Sequence, residues 1–475
     1  MKKILFLYLT ISLIPSILKS QSVELDKQLG ISSAQQIATD MGIYMLPDSS
    51  EYVNEIGNRL LLKVKQPFNF KFNIVDSSIP NAFALPGGYV YVSRGLLALS
   101  NSEDELAGVL GHEISHVLER HSVQHLKKSI LPALLQVPGN LFGKIDEGFG
   151  QLFNAPLSLS SQLYLASYSR GQEYEADDVG TKLAANTGYD PNALAVILQN
   201  LGLASEIYTG EKEERSYFDD HPITSKRVDR IYKISGKTTV RALPKIAEST
   251  LDYYKKIEGI IYGDNPKRGI FLNNVFIHPI YKFSFEFPSG WETYNTSSWV
   301  GAYDEKENSM IYMTLLDSIQ SPATYSNKII DEIKKEGGLS PVENNKITFN
   351  GFEGNYLAYH VNIDEEIYLM SFVWVKYNQH VYQIAGFGLL SSQELINKSI
   401  YSFQVPGSDL LNSIEVKVIR IRKAKEGESI PEFNTRTGNI WNTSYTAIAN
   451  NLTKESKLTE GQVLKIILNE PFIIQ

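Results

Sequence analysis

The twelve residues LGHEISHVLERH, Leu110 to His121, hold three of the chain's eight histidines and two glutamates, and they dictate the local fold. Upstream, Ser102 and Glu105 stand at capping-box spacing, and Leu106, Val109, Leu110, Ile114, Val117 and Leu118 recur with the period of a helix. On that helix His112 and His116 lie one turn apart on one face, so both imidazoles can reach a single ion. Glu113 follows the first histidine, where its carboxylate can meet water at the ion without becoming a ligand. A helix with chance histidines is the alternative; the capped, amphipathic setting and the motifs downstream favour the metal.

Composition then limits the ligands. The chain has no cysteine, which excludes disulfides, thiolate metal sites, cysteine nucleophiles and a lipidated N-terminal cysteine. Any ion must be held by histidine and carboxylate. The pattern HExxHxxGxxH is excluded as well, because Glu119 and Ser122 stand where it needs Gly and His. His121 and His125 form a second i, i+4 pair with no acid between them. They read as helix histidines facing solvent, with a secondary metal site as the alternative. The third ligand must come from elsewhere, and SYSRGQEYEADDVGTKLAANTGYDP, ending near Gly188, offers an acidic helix. There Glu173 and Asp177 share a face, while Glu175 and Asp178 point away. A carboxylate that completes a His, His, Glu set leaves one position for water, as catalytic zinc requires.

At 475 residues the chain exceeds one ordinary core and predicts two to four domains. Met1-Lys2-Lys3, the apolar run Ile4 to Leu18 and Ser20 read as a secretory leader over residues 1–20, since the run is shorter than the ~20 residues of a span; an uncleaved membrane anchor is the alternative. No later stretch has that length without Pro, Gly or charge, so no transmembrane span is expected after leader removal. Removal would also take Lys2, Lys3 and Lys19 and make a chain of formal charge −8 more acidic still. Nucleic acid is therefore not an expected partner.

FNFKFNIV reads as a strand. NAFALPGGYVYVSRGLLAL predicts a strand over 82–85, a turn at Pro86-Gly87-Gly88 and a strand over 89–92. This is either a plain hairpin or an exposed edge, Asn81, Ala82, Phe83 and Ala84, that can pair with an extended peptide. Residues 129–168, rich in Pro and Gly, predict either a cover over a cleft or an irregular crossover. Beyond residue 260 the texture becomes strand-rich. YKFSFEFPSGWETYN, a hairpin about Asn378 and helices near Tyr325 to Glu336 and Ser391 to Ser402 predict an α+β accessory domain over 270–407, with no catalytic cluster.

Four motifs in register, NAFALPGGYVYVSRGLL, HEISH, SRGQEYEAD and HPITSKR, resemble the gluzincin metallopeptidases that include HtpX, the CAAX prenyl proteases and the periplasmic protease BepA. The resemblance covers roughly residues 30 to 235. It implies a mostly helical zincin-type metallopeptidase domain with a small β-sheet, over 21–260 of a multidomain α+β chain. It further implies one Zn2+ per chain, held by His112, His116 and Glu173, with Glu113 as general base and Asp177 orienting a ligand. By the same likeness His221 and Arg227 approach from the far side, as oxyanion donors or, for His221, as a gate on the open zinc position. HtpX and the prenyl proteases span membranes and this sequence shows no such spans, so it resembles the soluble, exported branch. Residues 270–407 are similar to PsbP/Mog1-type folds through FSFEFPSGW. Residues 412–475 resemble a LysM-like βααβ module, which implies glycan or cell-wall contact; a plain terminal strand-helix unit is the alternative.

The expected protein is thus a periplasmic or secreted zinc endopeptidase acting on misfolded or envelope polypeptides. The alternative is an envelope binding or chaperone-like protein whose zinc domain serves as a recognition surface.

Overall fold

The computed structural model describes residues 23–62, 64–65, 68–121, 168–208, 221–222, 224–304, 306, 309–316, 320–336, 339–363 and 365–474. The expected leader, the Pro- and Gly-rich stretch before Tyr168 and His125 lie outside them. The described residues form two units, one of 23–121, 168–263 and 417–470, the other of 264–416 and 471–474.

In the first unit, helix α1 (23–40) and helix α2 (Pro47–Leu60) precede strand β1 (Lys71–Val75). Strands β2 (Ala82–Leu85) and β3 (Tyr89–Ser93) follow, joined through Gly87 and Gly88, whose positive φ of 79° and 99° makes the tight reversal. Their sheet runs β1-β3-β2, with β1 parallel and β2 antiparallel to β3. After the short helix α3 (Arg94–Leu99), Ser102 caps helix α4 (Glu103–Leu118) by accepting from the Glu105 amide. Ser169 and Gln172 form a capping box on helix α5 (Arg170–Asn186). Helices α6 (Ala193–Tyr208), α7 (Ser225–Ser235) and α8 (Thr250–Ile257) complete the helical layer. Leu106, Val109, Leu110 and Ile114 of α4 are fully buried in the core, together with Leu194, Ile197 and Leu198 of α6.

The second unit is strand-rich. A three-stranded sheet, β4 (Ile270–Leu272), β5 (Val275–His278) and β6 (Phe283–Glu286), precedes a seven-stranded antiparallel sheet in the order β10-β11-β12-β13-β9-β8-β7. Its members are β7 (Glu292–Asn295), β8 (Trp299–Asp304), β9 (Ser309–Leu316), β10 (Glu343–Phe349), β11 (Phe352–Ile363), β12 (Glu366–Tyr377) and β13 (His380–Leu389). Asn378 and Gln379, with φ of 46° and 63°, turn β12 into β13. Helix α9 (Pro322–Glu336) and helix α10 (Gln393–Ile400) pack on this sheet, and helix α11 (Ser408–Asn412) ends the segment.

The chain then returns to the first unit. Strand β14 (Glu415–Lys423), helices α12 (Ile430–Thr437) and α13 (Thr443–Ile448) and strand β15 (Val463–Pro471) form a βααβ segment with a two-stranded sheet. One face has its own small core around Ile430, Phe433 and Leu464. The other sends Ile419, Trp441, Tyr445 and Ile467 into the same core as α2, α4 and α6.

Candidate metal centre

Two glycines bring α4 and α5 into backbone contact. A Cβ on Gly180 would stand 2.7 Å from the His112 amide nitrogen, and one on Gly111 would stand 3.0 Å from the Gly180 carbonyl oxygen. At that separation the one-turn spacing of Glu173 and Asp177 on α5 meets the one-turn spacing of His112 and His116 on α4. His221, just before α7, adds a third imidazole.

Four ligand atoms converge there. His112 Nε2 is 3.0 Å from His116 Nε2 and 3.3 Å from His221 Nδ1. Glu173 Oε1 is 3.0 Å from His221 Nδ1 and 3.4 Å from His116 Nε2, and Glu173 Oε2 is 3.6 Å from His112 Nε2. Donors at ~2.0–2.1 Å from a tetrahedral zinc would stand about 3.3 Å apart. The observed spacings fall on either side of that value, so His112, His116, Glu173 and His221 fit one ion. Charge agrees with geometry. Burial works to raise the Glu173 carboxyl, but His221 and the hydrogen-bonding histidines hold it well below the usual range. Burial works to lower His112, yet Asp177 and Glu173 push it up to about 9. The pocket attracts a cation, and a metal competes with the proton for it.

Glu113 stands apart from the donors. It is fully buried, and neither carboxylate oxygen has a hydrogen-bond partner among the described residues. Oε1 lies 3.5 Å from His221 Nε2. Burial pushes its carboxyl up, against the pull of His221 and His112. A buried carboxyl left without a partner costs stability, and such groups cluster where a ligand or water completes them.

Asp177 and Arg227 stand behind these four residues. Asp177 Oδ1 is 3.0 Å from His112 Nδ1. Arg227, from α7, clasps Asp177 through Nε and Nη2 at 2.9 and 2.8 Å, and its Nη1 is 2.5 Å from Glu173 Oε2. The same Nη1 donates to the carbonyls of His221 and Pro222, tying the start of α7 to the acidic helix. Asp178 pairs outside this group, with Arg230.

His121 departs from expectation. It is not a solvent-facing helix histidine: α4 stops at Leu118, Arg120 turns the chain with a left-handed φ of 59°, and His121 is 1% exposed. The apolar stripe of α4 gave no warning, because the reversal lies beyond the helix. Tyr168 is a further residue that the motifs did not reveal; its ring stacks on His116 at a centroid distance of 3.9 Å. The strand Asn81 to Ala84 is not part of the donor cluster. Among the described strands β2 occupies an outer position, but Asn81, Ala82, Phe83 and Ala84 are all buried and β2 packs against α4, so the strand is not an exposed edge.

A helix carrying HExxH, a glutamate from a second helix that converges on its histidines and a buried Glu113 without a hydrogen-bond partner among the described residues together form a centre of metallopeptidase type. Residues 47–235 match the family model described as Peptidase family M48. The chain is 28% identical over 222 residues to the mitochondrial metalloendopeptidase OMA1 of Schizosaccharomyces pombe, covering 44% of this chain and 61% of that protein. It is 32% identical over 215 residues to the beta-barrel assembly-enhancing protease of Yersinia pestis, covering 44% and 43%. It is 30% identical over 220 residues to the metalloprotease LoiP of Escherichia coli K12, covering 43% and 78%. The chain belongs to peptidase family M48. It spans about half the length of the first two of these relatives. Among solved structures it is similar to PsbP of Synechocystis sp. PCC 6803, at 11% identity, 29% coverage of this chain, 95% of that one and a TM-score of 0.24, too low to bear on fold or function.

Proposed function

We propose that the first unit is a zinc endopeptidase, with His112, His116 and Glu173 as ligands and Glu113 as general base. The observation that carries this is the fully buried Glu113 carboxylate, without a hydrogen-bond partner among the described residues, beside four converging donors. Bound there, one zinc ion would supply Lewis-acid polarisation of water and of the scissile carbonyl. Glu113 takes a proton from the attacking water and passes it to the leaving amine. Asp177 holds His112 through its outer nitrogen. Arg227, engaged by both carboxylates, positions Glu173 and the start of α7 and keeps their charge balanced. An extended substrate would pair along Asn81, Ala82, Phe83 and Ala84 only if this buried strand were uncovered.

His221 has two roles in this reading. With Nδ1 in the donor set, as it stands here, His221 would help hold the metal and keep the resting enzyme silent; swung outward it would donate to the developing oxyanion. His221→Ala raises turnover if closure dominates and lowers it if donation dominates. An unchanged rate rejects both.

The substrates are misfolded or envelope polypeptides, reached after export by the 1–20 leader to the periplasm or outside. No helix among the described residues is long and apolar enough to cross a membrane. The second unit binds or scaffolds. The βααβ segment turns Trp441 and Tyr445 inward, so any glycan contact must use its remaining faces. The second reading, a recognition surface without turnover, draws on the third imidazole in the donor set, that of His221. Cleavage of casein or a misfolded protein with and without chelator, by parent and Glu113→Gln, separates the two. The zinc enzyme predicts chelator-sensitive cleavage and a loss of ~10^2- to 10^4-fold in the variant with zinc retained. Parent-like cleavage by Glu113→Gln rejects the mechanism.

A further inference from the structure

The two histidines of HEISH are anchored differently on the side away from the ion. For His112 the anchor is Asp177, fixed in turn by Arg227. For His116 it is another imidazole. His116 Nδ1 lies 3.1 Å from His121 Nδ1, and His121 Nε2 lies 3.2 Å from Glu175 Oε2. His121 is buried, whereas the Glu175 side chain is 54% exposed. Tyr168 stacks on His116 and closes over this pair at a ring distance of 6.3 Å from His121.

We infer that His121 and Glu175 form a positioning relay that fixes the tautomer and orientation of His116 for metal binding. This rests on the zinc reading of the site. Tautomer logic allows one proton arrangement along the chain. His116 must present a bare Nε2 to the ion, so its proton sits on Nδ1 and is donated to His121 Nδ1. His121 must then be neutral with its proton on Nε2, which it donates to the Glu175 carboxylate. A proton on His121 Nδ1 would set donor against donor. The carboxylate at the solvent end therefore selects the metal-competent form of a ligand two residues deeper, through an imidazole that never meets the ion. Outer partners of ligating histidines are generally worth ~10 to 100-fold in metal affinity. The charge of Glu175 is exposed, so its share is the smaller one.

The left-handed Arg120 makes the relay possible. Its φ of 59° ends α4 and folds His121 back over the helix end, and its guanidinium is held 2.7 Å from the buried carboxylate of Asp26.

The test is zinc affinity, by chelator competition, on the full chain. His121→Phe fills the space without an acceptor, whereas His121→Asn keeps an acceptor oxygen where Nδ1 stood. We expect His121→Phe to bind zinc ~10 to 100-fold more weakly and His121→Asn to recover most of that loss. In cobalt-substituted protein the visible absorption should shift in His121→Phe and return toward the parent in His121→Asn. Glu175→Ala, at an exposed position that folding tolerates, should weaken zinc a few-fold. Combined with His121→Phe it should add nothing, because it acts through His121. Parent-like affinity in His121→Phe overturns the relay. Equal losses in Phe and Asn, tracked by equal losses of thermal stability in the metal-free proteins, reduce His121 to packing and overturn it too. A parent that takes up no zinc strikes at the site reading itself, which separates the two failures.

Discussion

Helix α4 carries a buried polar cluster at each end, and the two are built on opposite terms. At its start, Glu105 accepts from the Asn101 amide at 2.8 Å and from Asn451 Nδ2 at 2.7 Å. Lys465 of β15 reaches into the same place, donating to the carbonyls of Ala98, at 2.9 Å, and Ser100, with Nζ 5.0 Å from the centre of the Tyr254 ring. Tyr254 in turn donates to Asn101 Oδ1 at 3.0 Å. Each of these buried groups has a partner. About two turns along, Glu113 has no hydrogen-bond partner among the described residues, and four lone-pair donors face one another across 3.0 to 3.6 Å. Buried polar groups are costly unless satisfied. The closed cluster is therefore a fastening that clamps the returning βααβ segment to the helix, and the open one is the candidate metal centre.

The largest stability effect should come from breaking the fastening. Lys465→Met leaves Glu105 buried without its cation and two carbonyls without a donor, at a cost of ~3–5 kcal/mol. Urea unfolding of metal-free protein measures it; a cost below about 1 kcal/mol would mean that the closed cluster holds nothing. Zinc should act on the other end alone. At free zinc one hundred times its dissociation constant the loaded protein gains about 2.7 kcal/mol over the stripped one, and Lys465→Met should gain the same increment. An increment that vanishes in Lys465→Met would couple the two clusters and break the contrast. The smallest effect belongs to Glu113→Gln in the metal-free state. Because the carboxylate makes no hydrogen bond and its contact with His221 is long, at 3.5 Å, its stability should stay within about 1 kcal/mol of the parent or rise.

How much of this was legible in the sequence follows from the range of the interactions. HEISH, its cap at Ser102 and the shared face of Glu173 and Asp177 are local, with periods of one turn, and the structure has them on α4 and α5 as the spacing requires. The approach of the two helices left a trace in Gly111 and Gly180, but a glycine in a helix does not name the residue it will face. His121 was misread because one left-handed residue, Arg120, ends the helical period, and a long polar side chain gives no sign of positive φ. Lys465 lay beyond reach for a different reason. A lysine in the strand VLKIIL reads as an edge or surface residue, and its partners stand some 365 residues earlier. The domain pattern had the same weakness: composition marks the passage from helix to strand near residue 260, but not the return of residues 417–470 to the first unit.

The central claim, that the open cluster holds zinc through His112, His116 and Glu173 with Asp177 behind them, is tested most directly by the metal content of folded, purified variants. Losing a ligand should cost far more than losing its outer partner, which is worth ~10 to 100-fold in affinity. The account predicts about one zinc in the parent, little or none in Glu173→Ala, and weakened but measurable zinc in Asp177→Ala. A zinc-replete Glu173→Ala beside a zinc-free Asp177→Ala would contradict it and move the ligand to Asp177.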